Sequence, residues 1–281
     1  MTLHRPVASI LAVLVSASLS IAATDVSGII PKSTTWTASA SPFRLTGDLQ
    51  IAYRATLKIE PGVQIEGNGK ALTVFGKLTA IGSQSSPIPF VNIKLSFGNN
   101  KSDQPASIDI RYANMQGGLF LSGASGYGSF TLRDSILSDL SDYMYVWYPT
   151  DDCYIERNQF IRTFGISIGH SGPSVYVRNN LFYQTTPTSS GYPAIQNWAA
   201  YKGETIVKYN TFQDLKCTAV ALKPGYNNAA MAARDNYWGT TDEAAIAAMI
   251  WDRNDDASAS GKISFKPFLS APHAQTPKPI K

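Results

Sequence analysis

The residues of this chain that could do chemistry are aromatic and polar side chains in its second half. Aromatic rings can bind the C–H faces of sugars, while amides and cations can bind hydroxyl and carboxylate groups. Their types therefore predict a face that binds a ligand. The predicted members are Tyr143, Tyr145, Trp147, Tyr148, Gly169, His170, Gln196, Trp198 and Lys223.

The same region contains candidate catalytic groups. His170 and Lys223 are candidate bases, and Asp151 and Asp152 are the nearest carboxylates. A polysaccharide lyase or epimerase needs a base and a group that neutralises a uronate carboxylate. A glycosidase needs two carboxylates at a set separation. The sequence assembles neither set, so catalysis remains an alternative to simple binding.

A candidate metal site follows the last helix-like segment. The spacing of Asp252, Asn254 and Asp256 suits calcium, which prefers oxygen ligands. However, Ala257 stands where a calcium loop needs glycine, and Ile263 stands where it needs a bidentate glutamate. A loop shaped by Asn and Asp turn chemistry is the better interpretation. We therefore expect no cofactor, with calcium as the alternative.

A repeated pattern defines the elements that must position these residues. An apolar residue, two variable positions, Asn, one variable position and an aromatic residue recur four times. The Asn position and its weaker earlier copies are Ala113, Ser135, Asn158, Asn180, Asn210 and Asn236. The first three steps are 22, 23 and 22 residues. Short β-like pieces at this period predict stacked coils of a parallel β-solenoid, with the Asn side chains forming a ladder.

The remaining elements fit an all-β fold with one helix. The first half consists of short alternating runs separated by Gly and Pro, which favour strands and turns. Residues 240–251 carry helix formers, with Thr240 or Thr241 as the expected N-cap. We expect a single parallel β-helix over residues 24–271, with coils of about 22 residues. Its C-terminal end would be covered by the helix.

Strand alternation predicts which side chains face outward. The apolar pairs Met144/Val146 and Ile166/Ile168 align successive coils. This register places Trp147 and Trp198 on one outer face, two coils or about 10 Å apart, with Gly169 between them. The expected result is a recess that could hold a sugar ring. The alternative is that the insertion at 185–193 covers this face.

The two ends of the chain suggest export and a flexible terminus. Residues 1–23 are typical of a secretory signal peptide, with an apolar stretch from Val7 to Ile21. An uncleaved anchor is the alternative. No other stretch could cross a membrane, so the mature chain is expected to be secreted, periplasmic or at the cell surface. Residues 272–281 are rich in Pro and Lys and are expected to be disordered.

The net charge limits which partners the sequence supports, and the cysteine positions bear on whether a disulfide forms. Removal of Arg5 with the signal peptide leaves 23 basic and 20 acidic residues. This small excess gives no argument for binding nucleic acid or a membrane surface.

Cys153 and Cys217 fall at different points of their coils and more than one coil apart. They should exceed the separation of about 7 Å that a disulfide allows, so separate thiols are expected.

The chain resembles the pectate-lyase-like right-handed parallel β-helix proteins, especially exported and surface-anchored members of unassigned activity. The resemblance covers about residues 26–272. Its residues include Leu57-Lys-Ile-Glu-Pro-Gly62, the run from Leu72 to Gly82, and Asn236-Tyr-Trp-Gly239. These are solenoid turns and caps, so the resemblance implies the architecture and, more weakly, an association with carbohydrate.

The enzyme motifs on this fold are not matched. The calcium-binding aspartates and Arg base of pectate lyases have no counterpart in the sequence. The run Gly165-Ile-Ser-Ile-Gly169 is similar to a polygalacturonase motif, but Phe164 stands in the position of the catalytic histidine. The resemblance therefore implies no catalytic residue here.

Three functions follow from these observations. The first is binding of a polysaccharide or cell-surface glycan on the aromatic outer face. The second is a polysaccharide lyase or related carbohydrate-active enzyme that uses the same face. The third is a structural or adhesive surface protein that needs no site. Exposure of Trp147 and Trp198 would favour the first two, and burial would favour the third.

Overall fold

The computed structural model shows an all-β parallel solenoid of about eight coils, as the repeat predicted. Residues 1–21, which hold most of the predicted signal peptide, lie outside the part of the chain that the structure describes. Within the described ranges, no helix has the length and apolar composition needed to cross a membrane. The described residues are 22–121, 127–169, 172–185, 193–198 and 204–279.

Three sheets, here named A, B and C, form the sides of the solenoid, and all their strand pairs are parallel. Sheet A contains β1 (Thr24–Ile30), β3 (Phe43–Ile51), β5 (Ile65–Glu66), β6 (Ala71–Val74), β8 (Ile88–Phe97), β10 (Ala113–Phe120), β12 (Ile136–Ser138), β15 (Gln159–Ile161), β18 (Leu181–Tyr183) and β21 (Thr211–Gln213). Sheet B contains β2 (Thr34–Trp36), β4 (Thr56–Ile59), β7 (Lys77–Ile81), β9 (Ala106–Arg111), β11 (Gly128–Arg133), β14 (Cys153–Glu156), β17 (Val175–Arg178) and β20 (Thr205–Lys208).

Sheet C forms only in the second half of the chain. Each later coil contributes one strand to sheet B, the next to sheet A and the third to sheet C, so the coil has three sides. The strands of sheet C are β13 (Met144–Trp147), β16 (Ile166–Gly169), β19 (Ile195–Asn197), β22 (Val220–Leu222) and β23 (Ile250–Trp251). This sheet carries the candidate site.

The predicted Asn ladder is confirmed at the corner between sheets B and A. The Asn180 Oδ1 atom accepts hydrogen bonds from the backbone N–H and the side-chain amide of Asn158, at 2.9 and 3.0 Å. The Asn180 amide donates to Ile155 O at 2.8 Å and to Asn210 Oδ1 at 3.0 Å. The pattern repeats from Asn210 to Asn236. Because these groups are fully buried, each amide satisfies backbone groups that water cannot reach.

The aromatic position of the repeat stacks inside the solenoid. Phe160, Phe182, Phe212 and Trp238 are buried and form one column, with successive ring centroids 4.8, 5.2 and 4.9 Å apart. The residue before each Asn adopts a left-handed backbone, for example Arg157 at φ 56° and Tyr209 at φ 61°. This conformation turns the chain from sheet B into sheet A and directs the intervening side chains outward.

The C-terminal end differs in detail from the sequence prediction. The helix α1 covers only Glu243–Ala247, and its N-cap is Asp242 rather than Thr240 or Thr241. The Asp242 carboxylate accepts the N–H groups of Ala244 and Ala245. These N–H groups have no partner within the helix, and a carboxylate at the N-cap can accept both. The chain then returns to extended structure, and β23 adds to sheet C beside β22. Strand pairing at the solenoid end therefore outweighs the helix propensity of residues 248–251.

The segment 272–279, for which we expected disorder, makes defined contacts with the solenoid. The ring of His273 stacks on Tyr209 at 4.4 Å, and its Nδ1 atom lies 2.8 Å from Asn179 Nδ2. Thr276 is buried, and its hydroxyl donates to Tyr209 O at 2.7 Å. We call this segment the tail. It runs along the corner between sheets B and A, on the outer side of the Asn ladder.

Candidate functional site

Strand pairing in sheet C confirms the outward register predicted from the sequence. Tyr145 pairs with Ser167, and Ser167 pairs with Gln196. Trp147 pairs with Gly169, and the N–H of Trp198 donates to Ile168 O at 2.8 Å, which places Trp198 in the same row. Three successive coils therefore bring the two tryptophans to one face, as expected.

The open recess predicted over Gly169 is not present. A Cβ atom added at Gly169 would lie 2.9 Å from Cε2 of Trp147, so the indole covers the glycine. The rings of Trp147 and Trp198 also touch, with centroids 5.5 Å apart rather than about 10 Å. The prediction counted backbone spacing only, whereas the large side chains lean toward each other and fill the space above the glycine.

Trp198 lies at the centre of the group that forms instead. Its ring contacts Trp147 on one side and Tyr226 on another, the latter edge-on at 5.2 Å. The ammonium of Lys223 lies 4.8 Å from the centre of the Trp198 ring, in a cation–π contact. We call Tyr145, Trp147, Trp198, Lys223 and Tyr226 the aromatic cluster.

One buried donor of the aromatic cluster lacks an acceptor among the described residues, and the cation beside it forms no ion pair there. The Nε1 atom of Trp198 is buried, and no acceptor for it exists among the described residues. Lys223 forms none of the eight ion pairs in the part of the chain that the structure describes. A buried N–H without an acceptor costs about 1–3 kcal/mol. The aromatic cluster thus places the unpaired N–H donor of Trp198 next to the ammonium of Lys223.

The polar floor of the face is well ordered. Ser167 is fully buried, and its Oγ atom accepts hydrogen bonds from Trp147 Nε1 at 3.3 Å and from Gln196 Nε2 at 3.2 Å. Gln196 is also buried. These bonds fix the orientation of Trp147. Gln196 therefore supports the cluster from below rather than meeting a ligand directly.

The tyrosines at the start of β13 pack around Trp147. Tyr143 is buried, and its hydroxyl donates to Pro193 O at 2.6 Å, so it belongs to the packing and not to the outer face. The hydroxyl of Tyr145 lies 3.3 Å from the Asp142 carboxylate, and its ring contacts Trp147 at 6.1 Å. Tyr148 contacts both Trp147, at 6.4 Å, and Tyr127, at 5.3 Å.

Among the described residues, no hydrogen bond or ion pair joins the candidate catalytic groups. Asp151 and Asp152 are exposed in the turn between sheets C and B, where Asp152 accepts the N–H of Ser174 at 2.9 Å. In this described part of the chain, neither carboxylate forms an ion pair with Lys223. His170 lies outside the described residues. The hydrogen bonds of the two carboxylates stabilise the turn: Asp152 binds the Ser174 N–H and Asp151 the Thr150 hydroxyl.

The candidate calcium loop uses its oxygens to bind its own backbone. Both oxygens of Asp252, which is buried, accept backbone N–H groups, from Asn254 at 2.8 Å and from Ile263 at 2.7 Å. Asp256 accepts the hydroxyl and N–H of Ser258, and the hydroxyl bond in particular lowers the pKa of this carboxyl. Over the described ranges, no group of His, Cys, Asp and Glu side chains could hold a metal ion.

Both cysteines are free, as the coil register predicted. Cys153 points into the core, and burial raises the pKa of its thiol from 9.0 to about 12. Cys217 is partly covered, and burial raises the pKa of its thiol from 9.0 to about 11. A thiol at such a pKa is protonated at neutral pH and is a poor nucleophile. Neither cysteine is therefore a candidate catalytic residue.

The structure adds one residue that the sequence analysis missed. Tyr226 reaches Trp198 from the turn after β22, in which Gly225 has φ 83° and reverses the chain. An aromatic residue three positions after Lys223 was the available signal. Trp147 and Trp198 are both half-buried. Full exposure would have favoured a binding face and full burial a purely structural role, so their burial does not decide between the two.

Comparison with known proteins adds no information about the family or function of this chain. No protein-family model, no curated protein and no solved structure matches this chain.

Proposed function

We propose that this chain is an exported, pectate-lyase-like β-helix protein that binds a polysaccharide or cell-surface glycan at the aromatic cluster without cleaving it. The observation that carries the proposal is the buried Nε1 donor of Trp198, which has no acceptor among the described residues. A sugar hydroxyl or ring oxygen would supply that acceptor once the side chains that cover the N–H move aside. Recovery of one such hydrogen bond in a buried setting is worth about 1–3 kcal/mol.

The surroundings of Trp198 support the same chemistry. Trp147 and Tyr145 offer half-buried ring surface, and apolar ring surface beside polar groups is typical of binding faces. Lys223, which is held over Trp198 at 4.8 Å, could bind a hydroxyl group or an anionic group of the glycan. The ordered bonds of Ser167 keep Trp147 in place, so a ligand would meet a preorganised surface.

A direct test is a binding screen of the purified chain against neutral and uronate-containing polysaccharides. Calorimetry would measure binding, and absorbance of unsaturated products would detect lyase activity in the same samples. Trp198→Phe keeps a ring but removes the N–H donor. It should weaken binding about tenfold, since a lost hydrogen bond of about 1.4 kcal/mol is a factor of ten.

Trp251→Phe is the matched control. Trp251 lies on the same sheet in β23, is 43% exposed and, among the described residues, has no ring contact with the aromatic cluster. It should leave the affinity unchanged. The proposal fails if no polysaccharide binds the wild-type chain, or if Trp198→Phe and Trp251→Phe bind equally well. Unsaturated products would replace it with the lyase function.

A further inference from the structure

A groove lies between the tail and the outer corner of the solenoid, at a different corner of the coil from the aromatic cluster. It has a volume of about 480 Å³. One wall is formed by Gln275 and Pro277 of the tail, and the other by the turns of four successive coils between residues 83 and 159. Volumes between about 300 and 1,000 Å³ are typical of small-molecule sites. The groove therefore has room for one or two sugar rings.

The charges in the groove cancel. Arg157 donates to both carboxylate oxygens of Asp134, from Nε at 2.6 Å and from Nη2 at 2.8 Å. The hydrogen bonds with Asp134 raise the pKa of the Arg157 guanidinium, so the pair stays ionised. Such a bidentate pair has no net charge to attract an ionic ligand, but its outer edges can still bind hydroxyl groups.

Side-chain amides dominate the rest of the lining. Asn114 and Gln275 are exposed and make no side-chain hydrogen bond in the described structure. The Oε1 atom of Gln159 is buried and also has no donor among the described residues. An amide offers two donors and one acceptor oxygen, which matches the mixed donor and acceptor character of a hydroxyl group. Asn114 and Gln275 thus leave several hydrogen-bonding positions open toward the groove, and Gln159 adds an acceptor oxygen that has no donor among the described residues.

An exposed aromatic ring completes the groove. Tyr112 is 37% exposed, and its left-handed backbone, at φ 51°, directs the side chain out of the corner. A ring with an apolar face and a polar hydroxyl suits a ligand that has both C–H and O–H groups. The ring, the amides and the neutral ion pair share one preference, for an uncharged ligand that is rich in hydroxyl groups.

We propose that the tail groove is a second ligand site, which binds a neutral oligosaccharide of one or two sugar units. Tyr112 stacks on a sugar ring, while Asn114, Gln159 and Gln275 bind its hydroxyl groups. Gln275 belongs to the tail, so docking of the tail through His273 and Thr276 completes the site. The site shares no residue with the aromatic cluster and does not depend on the function proposed for it.

The test is calorimetric titration of the purified chain with neutral disaccharides of glucose, mannose and xylose. Digalacturonate and a proline-rich peptide are the comparison ligands. At least one neutral disaccharide should bind, and Tyr112→Ala should weaken it about tenfold, as removal of a central aromatic contact does at other interfaces. Asn114→Ala is the second variant, because this exposed side chain supports no core and its loss leaves the fold intact.

Two control variants distinguish binding in the groove from binding elsewhere on the surface. Tyr53→Ala removes a comparably exposed tyrosine, 44% exposed, that does not line the groove, and should leave the affinity unchanged. Trp251→Phe, at an exposed ring outside both the groove and the aromatic cluster, should also have no effect. A loss of disaccharide affinity in Trp198→Phe but not in Tyr112→Ala would place binding at the aromatic cluster and overturn the proposal. The proposal is overturned if no neutral disaccharide binds, if Tyr112→Ala and Asn114→Ala both bind like the wild type, or if the peptide binds in place of the disaccharides.

Discussion

Replacement of Asn180 by alanine tests the Asn ladder, on which the coil register depends. The side chain is fully buried and makes four hydrogen bonds, two as acceptor from Asn158 and two as donor to Ile155 O and Asn210 Oδ1. In the alanine variant, the backbone N–H of Asn158 loses the acceptor that the ladder supplies. The Nδ2 group of Asn158 keeps its bond to Leu132 O, and its Oδ1 atom still accepts the N–H of Ser135.

The expected loss of stability follows from these bonds. A buried N–H without a partner costs about 2 kcal/mol, and the lost bond to Ile155 O about 1 kcal/mol more. Asn180→Ala should therefore destabilise the chain by about 3 kcal/mol, or lower its melting temperature by roughly 6–12 °C. Urea unfolding followed by circular dichroism, together with a thermal scan, measures both quantities.

The chain supplies its own matched control at an earlier coil. Ser135 occupies the ladder position there, and its hydroxyl accepts the backbone N–H of Ala113 at 3.0 Å. Asn180→Ser can make the equivalent bond to the N–H of Asn158, so it should cost about half as much as Asn180→Ala. A loss below about 1 kcal/mol for alanine, or equal losses for serine and alanine, would refute the reasoning.

Two further predictions concern the thiols and the aromatic cluster. Denaturation without reductant should expose two titratable thiols per molecule. At pH 8 the thiols of the native protein should react with a thiol reagent at least about 100-fold more slowly than those of the unfolded chain. The reason is that the pKa values of Cys217 and Cys153 are raised to about 11 and 12 in the fold. A disulfide, or equal labelling rates, would contradict this. Trp147→Ala should lower the free energy of unfolding by about 2 kcal/mol, since the ring packs on Gly169 and Trp198, whereas Trp251→Ala should change it by about 0.5 kcal/mol or less. Equal effects of these two variants in urea unfolding would show that Trp147 is not a packing residue.

The repeat alone determined the architecture. An Asn at the same place in successive coils can satisfy buried backbone groups only if the coils stack in register, so Asn158, Asn180 and Asn210 specify the solenoid and the pairing of its strands. The same register correctly placed Trp147, Gly169 and Trp198 in one row, and it separated Cys153 from Cys217. These results depend on backbone spacing, which the period of a sequence reveals directly.

The tertiary structure decided how side chains use the space that the backbone leaves. Backbone spacing predicted a gap above Gly169, but the indoles of Trp147 and Trp198 close it, because large rings gain more from mutual contact than from exposure to water. Composition predicted a disordered tail, yet His273 stacks on the ring of Tyr209, a contact between residues 64 positions apart. Neither outcome has a local signal. Both depend on which distant surfaces the completed coils bring together, and these surfaces exist only once the solenoid has formed.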